Sequence, residues 1–436
     1  MFRMLAIIFS LLIFGGSSSC RYIGSSFRKL DNGVSVVFVD TTETDTLLVV
    51  LCISSGNTDE VDKHGVANLL RYMFDKKLKE SAAEDFVQYG SESNSYTGHD
   101  QSIYYLYGKI GNLKGFIKNL GTIHSSVTFS AEDLKDGKKA TEQHSIEELR
   151  SDQNIMHYEA RKSVYWHSNY GTRITGEPDD IRAITEEDVQ NFKNRNYTNE
   201  RTTVIVVGNV DKEQTLEEIS RYFVSKGGVP ADRVQEPPHH GSIARITKYS
   251  AQVSAPVVEM YWRAPNYRKQ RNEARAAEIY VQYLKEAIQE SLIGKEIVSS
   301  ISFCDSFWNY DYGDICMTVT LHNEGGIQDV EEQIRSIIAE VKYIASNDIT
   351  EEQAKKAAYE VRNAADVFKK DVEVADTVEW ISKKVGAGYD FDFLKSHDEF
   401  VSKFDLKEVN EQGKEIFRKD PCVISVIKPM AKQSAD

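Results

Sequence analysis

Apolar positions recur along the chain with two periods, and each period predicts an element. Val34, Val36 and Phe38 fall at every second position after Asp31-Asn32-Gly33, so Phe27–Asp40 reads as a hairpin with its turn at the Asn-Gly pair. Leu47–Ser54 is a continuous apolar run of strand length, which predicts a more deeply buried strand. A polar loop, Ser55-Gly56-Asn57-Thr58-Asp59-Glu60, leads to a helix opened by Gly65-Val66-Ala67, whose apolar face is Leu69, Leu70, Met73 and Phe74. Glu92–Tyr105 reads as a polar edge strand. Ser130–Arg150 predicts a helix with Ser130 as its cap and Glu132 in the first turn. Thr185 and Asp188 have the spacing of a capping box, with Asp in place of the usual Glu. Thr202–Val210 reads as a buried strand, followed by a helix over Lys212–Phe223.

The second half of the chain repeats the first, faintly. Ile349–Asp371 echoes Phe129–Asp152, and Phe404–Pro429 echoes Ile184–Val210, each a polar-led helix and the latter followed by a strand. A duplicated α+β unit is what this implies. Between the halves, Gly227–Ser242 is rich in Gly and Pro, lacks periodicity and carries His239-His240, so it reads as a linker. The expected plan is a signal peptide over 1–20, a first domain over 26–226, a linker over 227–247 and a second domain over 248–431.

Composition narrows the class. With 436 residues, 41% hydrophobic and 28% charged, the chain can form two or more cored domains. A net charge of −14 argues against nucleic acid as a partner. Met1-Phe2-Arg3, the apolar run Met4–Phe14 and the small residues Gly15–Ser19 resemble a secretory signal cleaved near Ser19. The run is short for a membrane span, so no span is expected in the mature chain, and the expected location is secreted or periplasmic. Cys20 opens the alternative of a lipid anchor, although Ser17 stands where such signals usually carry leucine. Cys52, Cys304, Cys316 and Cys422 read as four separate buried thiols; the alternative is a Cys304–Cys316 bond across a hairpin. No Cys-x-x-Cys pair and no Gly-rich phosphate loop occurs.

The candidate chemistry sits on Gly65–Lys76, GVANLLRYMFDK, where Asn68, Arg71 and Tyr72 lie within about a turn of one another. The stretch resembles the zinc helix of the pitrilysin–insulinase peptidases, family M16, whose inverted motif is His-x-x-Glu-His. Gly65, Val66, Ala67, Leu70, Met73 and Phe74 match that frame. Asn68 and Tyr72 stand where the two histidines would be, and Arg71 where the catalytic glutamate would be. An amide and a phenol ionising only near pH ~10 are poor zinc ligands. Arginine has no lone pair to give and keeps its charge, so it can neither bind the ion nor deprotonate a water on it.

Further segments extend the resemblance over nearly all of the mature chain. Asn94, Thr97, Asp100 and Tyr104 match the strand that holds peptide by strand addition in that family, which marks Asn94 and Thr97 as substrate-binding candidates; an ordinary edge strand is the alternative. Glu148 falls where the third zinc ligand would be. It could pair with Arg71, or join His144 and another histidine in a substitute metal site. Asn169-Tyr170-Gly171, Gly176, Asp180-Ile181, Ile184–Val189, Phe192 and Tyr197 match a further block. In Ile288–Ser302, Gln289 and Val298, or a serine, stand where the family often carries a substrate-holding Arg and Tyr, and Lys295 offers a charge without a fork. The resemblance implies two metallopeptidase-like α/β-sandwich domains in tandem, no cofactor in this chain, and no activity alone. The implied partners are peptides and a zinc-bearing sister subunit, or a second copy. Two other readings stay open: a peptide- or protein-binding scaffold without a peptidase partner, and an active metallopeptidase with a rearranged site.

Overall fold

The computed structural model describes residues 22–42, 45–61, 63–81, 92–224, 243–294, 297–322, 330–365 and 374–430. Residues 1–20, where a signal peptide is expected, Lys295 and His239-His240 lie outside them, as does most of the expected linker. The described chain is α+β and divides into two compact units.

The first unit is built on six strands: β1 (Tyr22–Lys29), β2 (Ser35–Thr41), β3 (Thr46–Ile53), β4 (Glu92–Thr97), β5 (Ser102–Lys109) and β6 (Thr202–Val207). Their order in the sheet is β1-β2-β6-β3-β5-β4. Only β2 and β6 run parallel; the other neighbours are antiparallel. The expected hairpin is β1–β2, closed by Gly33, whose φ of +95° suits the turn. One sheet face, with Val36, Phe38, Val49, Leu51 and Val204, packs into a core with Leu70, Phe74, Phe116, Leu120 and Phe192 from the helices. The other face is buried as well. The helix Val374–Gly386 belongs to this unit and packs on β3, β5 and β6, and Ser54 donates to the Val385 carbonyl at 3.2 Å. Burial on both faces is why Leu47–Ile53 is apolar without alternation. It also pushes the Cys52 thiol up to about 12.

The second unit holds β7 (Ala244–Ser250), β8 (Val257–Ala264), β9 (Val298–Asp305), β10 (Gly313–Leu321) and β11 (Val423–Pro429), in the order β7-β11-β8-β10-β9. One parallel pair, β7–β11, is followed by three antiparallel ones. This is the arrangement of β2-β6-β3-β5-β4, so the faint repeat in the sequence is a repeat of topology. The helix Asp152–Val164, early in the chain, belongs to this unit and packs on β11 and β7. At its end the Tyr165 hydroxyl donates to the buried Asp314 carboxylate, which Arg161 approaches to 3.9 Å. Each compact unit therefore includes one helix from the other half, whereas the sequence plan of 26–226 and 248–431 is continuous.

All four described cysteines are free thiols. Cys304 and Cys316 stand opposite each other on β9 and β10, as the hairpin alternative required, yet are not bonded. Cys304 is exposed rather than buried, because β9 is the sheet edge.

Candidate functional site

The motif helix, Val66–Ser81, is held at its start by an acidic loop. Gly56 N–H and the Arg201 guanidinium both bond Asp59, at 3.1 and 2.8 Å. Glu60, almost wholly buried, accepts from the backbone of Gly65 at 3.0 Å and of Ala67 at 2.9 Å. Those are N–H groups that a helix start leaves without an internal partner, and a carboxylate there also meets the positive end of the helix dipole. Burial raises the Glu60 carboxyl above its ordinary value, against the pull of His64 and the two N–H groups. The bond to Glu60 raises His64 in turn. Gly65 cannot be replaced cheaply: its φ is +93°, and a Cβ would lie 2.8 Å from the Thr175 carbonyl oxygen. Gly176 (φ +74°) mirrors it, with a Cβ 2.6 Å from the His64 oxygen, so two glycines let these backbones meet.

Asn68, Arg71 and Tyr72 do come together. Arg71 is 8% exposed and Asn68 3%. Arg71 Nε donates to Asn68 Oδ1 at 3.0 Å, and Nη1 donates to Ser95 Oγ on β4 at 3.1 Å. The guanidinium carbon sits 3.6 Å from the centroid of the Tyr72 ring. Tyr72 OH lies 3.2 Å from His144 Nδ1, which brings the histidine of the suggested substitute metal site to this cluster as a partner of a phenol. Beneath them Phe74 packs on Tyr104 at 4.2 Å, and the Tyr104 and Tyr197 hydroxyls bond at 2.7 Å. Burial raises Tyr104 and pushes Tyr197 up to about 12, so both stay neutral.

Zinc, which the resemblance implies for this helix, does not fit these side chains. Of the three motif side chains, Asn68 has the best acceptor, and that Oδ1 is taken by Arg71. What remains is a cation, the donating end of an amide and a phenol. Among the described residues no group of three or more His, Cys, Asp or Glu side chains is arranged to hold a metal. Glu148 is the last residue of the helix Ala131–Glu148 and falls in the second unit. Within the first unit, Arg71 is bonded to the neutral Asn68 and Ser95.

Glu92–Tyr105 is two strands rather than one. Gly98 N–H reaches the Gln101 carbonyl at 2.8 Å, turning β4 into β5. Asn94 and Thr97 lie on β4, which is the sheet edge. Asn94 is exposed, and its Oδ1 accepts from Ser95 N–H at 2.8 Å. Thr97 is buried, with Oγ1 3.5 Å from Ser102 Oγ. Ser95, between them, accepts a hydrogen bond from Arg71 of the motif helix. Its signal in sequence was only its alternation with Thr97, two positions on.

The strand order and the capped helix define a metallopeptidase-like domain. Known proteins agree with that class. The profile described as Insulinase (Peptidase family M16) matches residues 35–178, and that described as Peptidase M16 inactive domain matches residues 183–358. The chain belongs to peptidase family M16. It is 24% identical over 207 residues to the mitochondrial-processing peptidase subunit beta of Dictyostelium discoideum, covering 46% of this chain and 44% of that protein. It is 22% identical over 349 residues to the zinc protease PqqE of Helicobacter pylori, covering 75% of this chain and 76% of that protein. The chain spans about half the length of the mitochondrial and rickettsial relatives it matches. In fold it resembles an M16 inactive domain from Pseudomonas fluorescens (TM-score 0.78, 15% identity, 94% of this chain and 99% of that one). It also resembles a protease from Helicobacter pylori (TM-score 0.75, 16% identity, 94% and 100%).

Proposed function

We propose that this chain is a non-catalytic M16 protein that binds extended peptides and serves as the inactive subunit of a heterodimer with a zinc-bearing sister chain. The observation that carries the reading is Arg71. By the resemblance it stands where the family's catalytic glutamate would be, and it bonds Asn68, which stands where a zinc-binding histidine would be. A fixed cation there would repel a metal ion and cannot act as a base. Peptide binding does not need the lost chemistry. An edge strand such as β4 can add a further strand through main-chain hydrogen bonds. On this reading the chain needs no cofactor of its own, and residues 1–20 direct it out of the cytoplasm.

The test is cleavage of unfolded peptides by the purified mature chain, alone and mixed with a zinc-bearing M16 chain from the same organism. No cleavage alone, with cleavage restored or enhanced in the mixture, is the expected result. Peptide binding without any effect on a sister chain would favour the scaffold reading. Chelator-sensitive cleavage by the chain alone would overturn both and direct attention to His144 and Glu148.

A further inference from the structure

The altered motif has the makings of a site for the opposite charge. Arg71 carries five N–H donors, and its described bonds go to the neutral oxygens of Asn68 and Ser95. Among the described residues of the first unit no carboxylate forms an ion pair with it. Asp75, one turn further along the helix, gives Oδ2 to Lys79 at 2.7 Å, while its Oδ1 is buried without a hydrogen-bond partner. A guanidinium this buried without a bonded anion is costly, because buried charges are normally paired. Beside it is a second donor. Arginine cannot accept, so the Asn68 oxygen must face Arg71 and the amide nitrogen must point away. That Nδ2 is buried and has no hydrogen-bond partner. Ser93 Oγ, on the same face of β4 as Ser95, is likewise buried without one. A charged fork facing β4 and an amide N–H₂ three residues before it thus lie on the motif helix, and Ser93 lies on the face of β4 that carries Ser95.

We infer that this cluster binds a carboxylate of an extended peptide, held by Arg71 through its unused N–H groups and by Asn68 Nδ2. The inference rests on the peptide-binding reading above and adds the ligand class. Ser95 makes the link, since its hydroxyl anchors Arg71 and its backbone belongs to the strand a peptide would join. A carboxylate matches the guanidinium fork in shape as well as charge. With a net charge of −14 the chain as a whole repels acidic peptides, so a preference for them must come from a local site.

Fluorescence anisotropy with labelled ten-residue extended peptides tests this. One pair differs only in a central Glu or Gln, and a second only in a free or amidated C-terminus. The unmodified protein should bind the carboxylate member of at least one pair about tenfold or more tighter. The Glu/Gln pair reports a side-chain carboxylate, and the acid/amide pair a C-terminal one. Arg71→Met should remove the preference, read as the ratio of affinities for the two members of a pair; Arg71→Lys should keep part of it, because charge remains without the fork. If Arg71→Met does not fold, Ser95→Ala serves instead and should weaken the preference several-fold. Equal binding of both members of both pairs would overturn this inference and leave the peptide-binding reading standing. So would a preference that survives Arg71→Met. No binding of any peptide would overturn both.

Discussion

Replacing Glu60 with alanine should loosen the first turn of the motif helix, and the size of the effect can be worked from its contacts. The Glu60 carboxylate takes two backbone donors, from Gly65 and Ala67, at 3.0 and 2.9 Å. Hydrogen bonds to a charged acceptor contribute about 1.5–3 kcal/mol each. Glu60→Ala loses both and leaves two buried N–H groups without an acceptor. It also removes a carboxylate whose own burial is unfavourable, so the net cost is about 3 kcal/mol. Glu60→Gln keeps an acceptor oxygen and should cost about 1–2 kcal/mol. A two-unit chain need not unfold in one step, so a local readout is required. Hydrogen exchange over residues 65–70 provides it: about 1.4 kcal/mol per factor of ten predicts roughly hundredfold faster exchange in Glu60→Ala. The start of the helix Ala131–Glu148, capped by Ser130 and Asp133, should be unchanged. His64 should titrate lower once its partner is gone. Exchange within threefold of the unmodified protein would refute the capping argument.

Other perturbations follow from buried polar groups and tight backbone. In the second unit, Asp314→Asn keeps an acceptor for Tyr165 but removes the negative charge near Arg161, and should destabilise that unit by about 3–5 kcal/mol in urea unfolding. His124 is fully buried, and burial lowers its pKa from 6.5 to about 3. Between those values the unfolded chain binds a proton that the folded one does not. Stability of the first unit should therefore fall as pH falls, by up to about 1.4 kcal/mol per pH unit from this group. His124→Phe should flatten the slope of the urea midpoint against pH over that window, and an unchanged slope would contradict the assignment. Gly65→Ala should cost about 1–3 kcal/mol from backbone strain alone, read as faster exchange at the helix start.

Much of this was legible in the sequence where local rules act. The Asn-Gly turn, the Thr185–Asp188 capping box and the helical face of Leu69, Leu70, Met73 and Phe74 are each fixed by neighbours within a few positions, and each is present. The repeat was legible too, because duplicated elements keep their order. What could not be read depends on distant partners. The extra helix of each unit, Asp152–Val164 in one and Val374–Gly386 in the other, looks in sequence like any helix of its own half. The apolar run of β3 shows burial on both faces but not by what. At the site, the altered triplet Asn68, Arg71 and Tyr72 was plain from its frame. The destination of the Arg71 donors was not. Ser95 is separated from Arg71 by 24 positions and distinguished by nothing but the strand's alternation.

The most direct test of the account is zinc content by mass spectrometry of the purified mature chain after equilibration with zinc, with Arg71→Glu carried alongside. The account predicts no retained zinc in the unmodified chain, because a fixed guanidinium occupies the motif and takes the Asn68 oxygen. One zinc per chain, removed by a chelator together with peptide cleavage, would contradict it.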